Sequence, residues 1–471
     1  MRRGAGRSVR PSVLAALLVL AWWLPLVAQT NAPPALPGWL AQPMSLVDAI
    51  NLLLLRNSAI LKARSDLAAA HGIAVQTRAV AFPRLRGAAD YTHTEAVEEF
   101  PFSNASGGTG TRISPPRNEW SGEIRLAQSI YQGGGIRAAW RTARLTQEQS
   151  LLQYQAVVAD GLLELRTTYH DVLLAEQQIV VQEASIHLLT QQLDNANRRF
   201  EAGMVPRFDV LRSEVELANA RPKLIRARNA FRIAKNGLAT LLGYDIPANV
   251  AEDIPMTLTG KLQAEPSEVE LPAALARALQ RRPELGVLRK AGGLRKERIA
   301  LARSTYKPTI SLFGGYGSRN SSFRNDFLSD VAGPMAGVQL SWDLYDGGLT
   351  KGKVIEAEAL YEKARIDLDD ATRRVQQEVR TAYSSLLEAR EVLESQKKVQ
   401  EQAEEALRLA VSRYDAGTGT QLDVLGAQTA LTEARLTQIQ ALHDYIVVRA
   451  RLNRATGQDV PLESSPAATL P

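Results

Sequence analysis

The 471-residue chain has no cysteine. That absence excludes disulfides, thiolate metal sites, a cysteine nucleophile and lipid attachment at an N-terminal cysteine. Acidic residues are missing from the first 28 positions, which hold Arg2, Arg3, Arg7 and Arg10. Those four arginines account for four of the formal net charge of +6, so the remainder stands at +2. A chain so nearly balanced offers no electrostatic reason for a nucleic-acid partner. Long apolar runs are scarce as well. The run from Val13 to Val27 falls short of the roughly 20 residues of a spanning helix, and Pro25 interrupts it. Its Arg-rich start and a small-residue cleavage position after Ala28 read as a secretory signal peptide over residues 1–28, with a membrane anchor as the competing reading.

Proline is absent from Gly135 to Gly203, where Gly161 is the one interior glycine, and Lys353 to Ala416 contains neither residue. Nothing in these stretches obliges a helix to end. Val172, Ala175, Ile179, Gln182, Ile186, Leu189, Leu193, Ala196 and Phe200 recur at spacings of three and four, the seam of a coiled coil. Some 65 residues at 1.5 Å each predict a helix about 100 Å long. Apolar residues off the seam, at Leu152, Leu163, Leu174 and Val180, predict neighbours on two sides and hence a wall of helices.

The two proline-free stretches belong to one repeat. "LAQSIYQGGGIR" from Leu126 returns 214 residues later as "LSWDLYDGGLTK" from Leu340, and the same offset carries Arg166, Thr167 and Tyr169 onto Arg380, Thr381 and Tyr383. Gly203, Asp209, Val210 and Leu211 likewise meet Gly417, Asp423, Val424 and Leu425 without a gap. Self-similarity at this length is a tandem duplication. It divides the chain into a first repeat over 29–247, a polar, proline-containing linker over 248–267, a second repeat over 268–461 and a tail over 462–471. Each repeat is expected to hold one helix, near Leu46 to Ala81 or Leu271 to Ser304, then two strands, then a long helical hairpin. The return helices are expected at Phe208 to Leu242 and Leu422 to Thr456. The reversals, "EAGMVPRFDVL" and "DAGTGTQLDVL", place glycine where the turn needs it and Pro206 where the next helix starts.

Between the first helix and the hairpin the period falls to two. Leu85, Gly87, Ala89 and Tyr91 share one face against Arg84, Arg86, Ala88, Asp90 and Thr92, and Trp120, Gly122, Ile124, Leu126 and Ile130 oppose Glu119, Ser121, Glu123 and Arg125. The second repeat places Ile310, Leu312, Gly314 and Tyr316, then Val338, Leu340, Trp342 and Leu344, on one face. Four strands of about ten residues fit a tilted membrane strand, against the alternative of a half-buried soluble sheet. Four strands leave two open edges, and hydrocarbon does not tolerate open edges. Three copies would close a barrel of about twelve strands, with Arg84, Arg86, Glu123 and Arg125 in the lumen and Tyr91, Trp120, Tyr316 and Trp342 toward lipid. The connections "EEFPFSNASGGTGTRISPPRN" and "SRNSSFRNDFLSDVAGPM" are polar and long, as external loops are.

The duplication, the "LYDGG" exit from the strand pair and "YDAGTGTQLDVL" at the second reversal resemble the TolC-type outer-membrane efflux proteins over about Ser45 to Pro461. The resemblance implies an α+β membrane protein: a homotrimer whose twelve-stranded outer-membrane β-barrel, four strands from each chain, continues into a long periplasmic α-barrel. It also implies a passive exit duct for an inner-membrane transporter, joined through a periplasmic adaptor, with no cofactor and no chemistry of its own. A periplasmic coiled-coil scaffold or adaptor is the alternative, and it leaves the alternating strands without a purpose. A third class, enzyme, lacks residues: no nucleophile elbow or zinc-protease motif occurs, and His71, His93, His170, His187 and His443 are too scattered to suggest a metal site.

The resemblance also marks sites. Asp209, Tyr414 and Asp423 match positions that narrow the periplasmic entrance and link neighbouring helices; a helix-end role for both aspartates is the competing reading. The turns at Gly203, Val205 and Pro206, and at Gly417, Thr418 and Gly419, match the hairpin tips that meet the adaptor. Gly419 and Gly426 depart from the pattern, standing where some relatives carry an arginine and a second acidic residue. Gly133 with Gly134, and Gly347 with Gly348, read as bends from strand into helix; phosphate-loop patterns are absent around them.

Overall fold

The computed structural model describes residues 42–95, 97–98, 102–103, 109–110, 113–114, 117–244, 254–264, 268–320 and 330–458. The expected signal peptide, the tail over 462–471, and parts of the linker and of both strand-connecting loops lie outside the described residues.

The two long helices form as the missing prolines predict. Helix α3 spans Gly135–Glu201 and α7 spans Leu349–Asp415, each 67 residues and so about 100 Å. Each reverses into a return helix of 35 residues, α4 at Arg207–Leu241 and α8 at Gln421–Ala455. A return helix therefore covers only half of its long partner. In the first repeat α1 (Leu46–Arg56) and α2 (Ser58–Arg78) cover the other half, and in the second α5 (Leu271–Arg281) and α6 (Pro283–Ser304) do. Helix α3 packs against α2, α4, α6 and α8, the wall that its off-seam apolar residues imply.

The single helices expected over 46–81 and 271–304 are each broken in two. Asn57 is extended, at φ −61° and ψ 127°; its Oδ1 accepts from the amides of Ala59 and Ile60 and so caps α2. Its Nδ2 donates to the last-turn carbonyl of α4, on Leu241, at 2.9 Å. In the second repeat Pro283 makes the break, because a proline disfavours helical geometry in the residue before it; Arg282 is extended at φ −64° and ψ 121°. These breaks lie where the return helices arrive end-on. Gly243, at φ +75°, ends α4 so close to Arg56 that an added Cβ would stand 2.7 Å from its carbonyl oxygen.

The largest core cluster gathers at this junction, with Leu53, Ile60, Leu165, Tyr169, Val172, Leu238 and Leu242 buried. The linker joins it rather than hanging free. Ile254 and Met256 are buried, and Met44 forms a parallel bridge to Leu258. The Tyr169 hydroxyl donates to the Met44 carbonyl at 3.1 Å and accepts the Gly260 amide at 3.2 Å.

Strands β1 (Arg84–Thr94), β6 (Arg117–Gln132), β7 (Thr309–Asn320) and β8 (Asp330–Ser341) form one antiparallel sheet in the order β1-β6-β7-β8. Two short pairs extend the first hairpin: β2 (Val97–Glu98) with β5 (Ile113–Ser114), and β3 (Phe102–Ser103) with β4 (Thr109–Gly110). Register places Leu85 opposite Leu126, then Gly314, then Ala336; Gly87 meets Ile124, then Tyr316, then Pro334. The residues assigned to one face from four separate strands thus fall into one face. Leu85, Tyr91, Ile124, Leu126, Tyr316, Val338 and Leu340 are all exposed there. Alternation slips at a bulge between Ser129 and Tyr131, where Ile130 stands. Trp342 and Leu344 lie past the end of β8, and the Trp342 indole N–H donates to the Tyr306 carbonyl. Within the chain β1 and β8 are both edges.

Candidate functional site at the helical hairpin tips

At the first tip Gly203 takes φ +71°, and the Met204 amide returns to the Arg199 carbonyl at 2.8 Å, satisfying a carbonyl the helix end leaves open. Val205 is half-buried, and Pro206 occupies the N-cap of α4 without a side-chain hydrogen bond. Asp209 lies in the first turn of α4, half-buried. At the second tip Gly417 takes φ +76°, and the amides of Thr418 and Gly419 both donate to the Arg413 carbonyl, at 2.9 and 3.0 Å. Thr420 caps α8 in a reciprocal box: its hydroxyl accepts from the Asp423 amide, and the Asp423 carboxylate accepts from the Thr420 amide at 2.9 Å and hydroxyl at 2.8 Å. These bonds, the amide's first, hold the Asp423 carboxyl below its ordinary pKa. Proline at the matching position gives Asp209 no such partner, so the two aspartates are chemically unequal.

The departures at Gly419 and Gly426 differ in kind. A Cβ on Gly419 would meet Arg413 Cβ and the Tyr414 amide nitrogen at 3.1 Å, so a side chain there would need the reversal to give by a few tenths of an ångström. Around Gly426 the space is open.

Tyr414 is buried, but within the chain it does not meet Asp209. The Arg199 guanidinium lies 4.4 Å from the centre of its ring and pairs with Asp415 at 2.8 Å. The last turn of α3 is thereby tied to the last turn of α7. The Tyr414 hydroxyl is buried and has no hydrogen-bond partner among the described residues.

Behind the tip the two hairpins are joined by polar rungs. Gln421 donates to Ser213, Thr432 to Ser185 at 3.2 Å, and His443 Nε2 donates to Asp171 Oδ1 at 2.7 Å. Arg454, buried at the far end, binds Asp160 and Glu284. Each rung pairs residues more than 150 positions apart in sequence. Polar residues at the apolar spacing of a helix face are the signal that could have found them, since buried polar groups are retained when they are hydrogen-bonded.

The strand-to-helix bends behave as glycine geometry requires. Gly134 and Gly348 are the N-caps of α3 and α7, at φ +102° and +92°, and Gly133 and Gly347 are also left-handed. In the second repeat Asp346 accepts from the amides of Gly348 at 3.0 Å and Thr350 at 2.8 Å, so the donors a phosphate would use already serve the cap. Among the described residues no group of histidine, aspartate or glutamate is arranged to hold a metal ion.

The family model for outer membrane efflux proteins matches residues 49–244 and 274–458. The outer membrane protein TolC of Escherichia coli is 25% identical over 89% of this chain and 83% of its own. The alkaline protease secretion protein AprF of Pseudomonas aeruginosa is 28% identical over 63% of this chain and 61% of its own. Among solved structures, the CmeC outer membrane channel of Campylobacter jejuni superposes with a TM-score of 0.74 at 16% identity, covering 88% of this chain and 86% of that one. VceC of Vibrio cholerae gives 0.70 at 19%, covering 88% and 96%. The chain belongs to the outer membrane efflux protein family and is an outer-membrane exit duct for efflux or secretion.

Proposed function

We propose that three copies of this chain close edge to edge into a twelve-stranded barrel whose apolar face meets outer-membrane lipid, and that α3, α4, α7 and α8 of each copy continue it as a periplasmic helical tunnel. The observation that carries this reading is the sheet: one continuous apolar face, one polar face, and two unpaired edges in a single chain. Edge strands in hydrocarbon require partners, and β8 of one copy meeting β1 of the next supplies them by cyclic symmetry. The duct works passively, without a cofactor. A periplasmic adaptor takes the tips at Gly203, Val205, Pro206, Gly417, Thr418 and Gly419 and joins them to an inner-membrane transporter. Repeats over 29–247 and 268–461 supply the two hairpins, and the segment over 248–267 crosses between them. Asp209, Tyr414 and Asp423 narrow the closed entrance. The buried hydroxyl of Tyr414 then finds its acceptor on a neighbouring chain, and three copies of each aspartate favour a bound cation.

Mass measurement of the detergent-extracted protein from isolated outer membranes tests the assembly. Three chains are expected. A monomer that remains membrane-inserted overturns the reading.

A further inference from the structure

We propose that the polar face of the sheet carries an arginine belt, formed by Arg84, Arg86 and Arg125 and anchored on Phe313, which favours small anions at the helix-proximal end of the barrel. This inference rests on the proposed closure of the sheet, which turns that face into a lumen.

Register brings the belt together. Arg84 stands opposite Ala127, which stands opposite Phe313; one layer on, Arg86 stands directly opposite Arg125. These two layers contain three guanidinium groups and no carboxylate. The acids of this face begin in the next layer with Glu123, and further on Asp90 shares a layer with Arg319. Three copies place nine arginines in two adjacent rings.

The belt is built rather than incidental. The Arg125 guanidinium lies 4.3 Å from the centre of the Phe313 ring, a cation–π contact that holds it against the wall. The ring also packs closely on Gly337, where an added Cβ would approach it to 2.7 Å. Glycine at position 337 therefore leaves room for the phenyl ring against which the guanidinium lies. Like charges directly opposite in an antiparallel pair are destabilising, as Arg86 and Arg125 are. The contact on Phe313 offsets part of that cost for Arg125, but no carboxylate in the two layers neutralises the pair, and a local cost kept in this way marks a place where function overrides stability. In a water-filled lumen such a cluster raises the local concentration of anions and depletes cations.

A local probe tests this apart from any selectivity at the tips. In the cysteine-free chain, Ala127→Cys places a thiol between Arg84 and Arg125 on the polar face, and Leu126→Cys places one on the apolar face. Rates of modification by an anionic and a cationic methanethiosulfonate are compared in outer membranes. The anionic reagent should react faster at position 127, and replacing Arg84, Arg86 and Arg125 by glutamine should lower the anion-to-cation rate ratio about tenfold. If the triple variant does not assemble, Arg86→Gln alone should lower it about twofold, and Arg86→Lys should keep it. A ratio at or below one in the parent, or one unmoved by the glutamines, overturns the belt while leaving the duct intact. Labelling at 126 but not at 127 overturns the lumen itself, and with it the closure on which the belt depends.

Discussion

Arg454 is the clamp where the end of α8 meets α3 and the start of α6, and its removal has a calculable cost. The side chain is 7% exposed; Nε donates to Asp160 at 2.8 Å, and an Nη reaches Glu284. Breaking a fully buried ion pair costs about 3–5 kcal/mol because the remaining charge is stranded. Here the stranding is partial: Asp160 is 65% exposed, and Glu284 keeps Arg282 at 3.4 Å. Arg454→Met preserves most of the buried stem, so its cost falls to about 2 kcal/mol, roughly a thirtyfold change in an opening equilibrium. The assay is hydrogen exchange at the amides of 282–290 and 448–457, which should exchange about thirtyfold faster through local opening. Acid supplies a second arm. Burial alone would raise the Glu284 carboxyl, but the hydrogen bond and charge of Arg454 outweigh it and hold it below its ordinary value. A depressed carboxyl stabilises the fold above the unfolded pKa of about 4.3 and loses that contribution as pH falls through the lower folded value. Protection at this junction should therefore fall with acid in the parent and much less in Arg454→Met. Exchange no faster than in Asp160→Asn, with the same acid dependence as the parent, would refute the clamp.

Single cysteines at 84 and 86 should react with a water-soluble thiol reagent in membranes while those at 85 and 89 resist it; equal labelling of neighbours would reject a lipid-facing sheet. Asp423→Ala removes a capping box and should cost about 1 kcal/mol in a melting comparison, whereas Asp209→Ala, which breaks no such box, should cost less. If both carboxylates also line the entrance, each substitution weakens divalent-cation block of single-channel current in planar bilayers; unchanged block in both would leave only the helix-end role. Burial pulls His443 down, but hydrogen bonds to Asp171 and Asp444 outweigh it and raise its pKa. Its contribution is full below the unfolded pKa of about 6.5 and lost as pH rises through the folded value, so melting temperature should decline toward alkaline pH in the parent and stay flatter in His443→Gln. His170, whose pKa burial lowers, also faces this group, and His170→Gln should leave the decline in place.

The architecture was legible wherever its cause is local. A 67-residue helix needs only the absence of proline and a sustained spacing of three and four, and both are visible in one dimension. The two faces of the sheet follow from period two. A constant 214-residue offset fixed the duplication, and the helices of equal length in both repeats obey it. The Asp423 cap was equally local, being a threonine three residues before an aspartate.

What tertiary structure decided is where these elements touch. Asn57 breaks a helix because the end of α4 arrives beside it, and nothing near Asn57 in sequence announces Leu241. Residues 254–260 looked like a polar tether, yet they dock on Tyr169 because the junction exposes apolar surface that Ile254 and Met256 can cover. Arg199 reaches Tyr414 and Asp415, and Arg454 reaches Asp160, only after two hairpins lie side by side. Helix and strand periods are written by near neighbours along the chain. Partners for a buried charge are chosen by packing, which brings together residues that the sequence holds hundreds of positions apart.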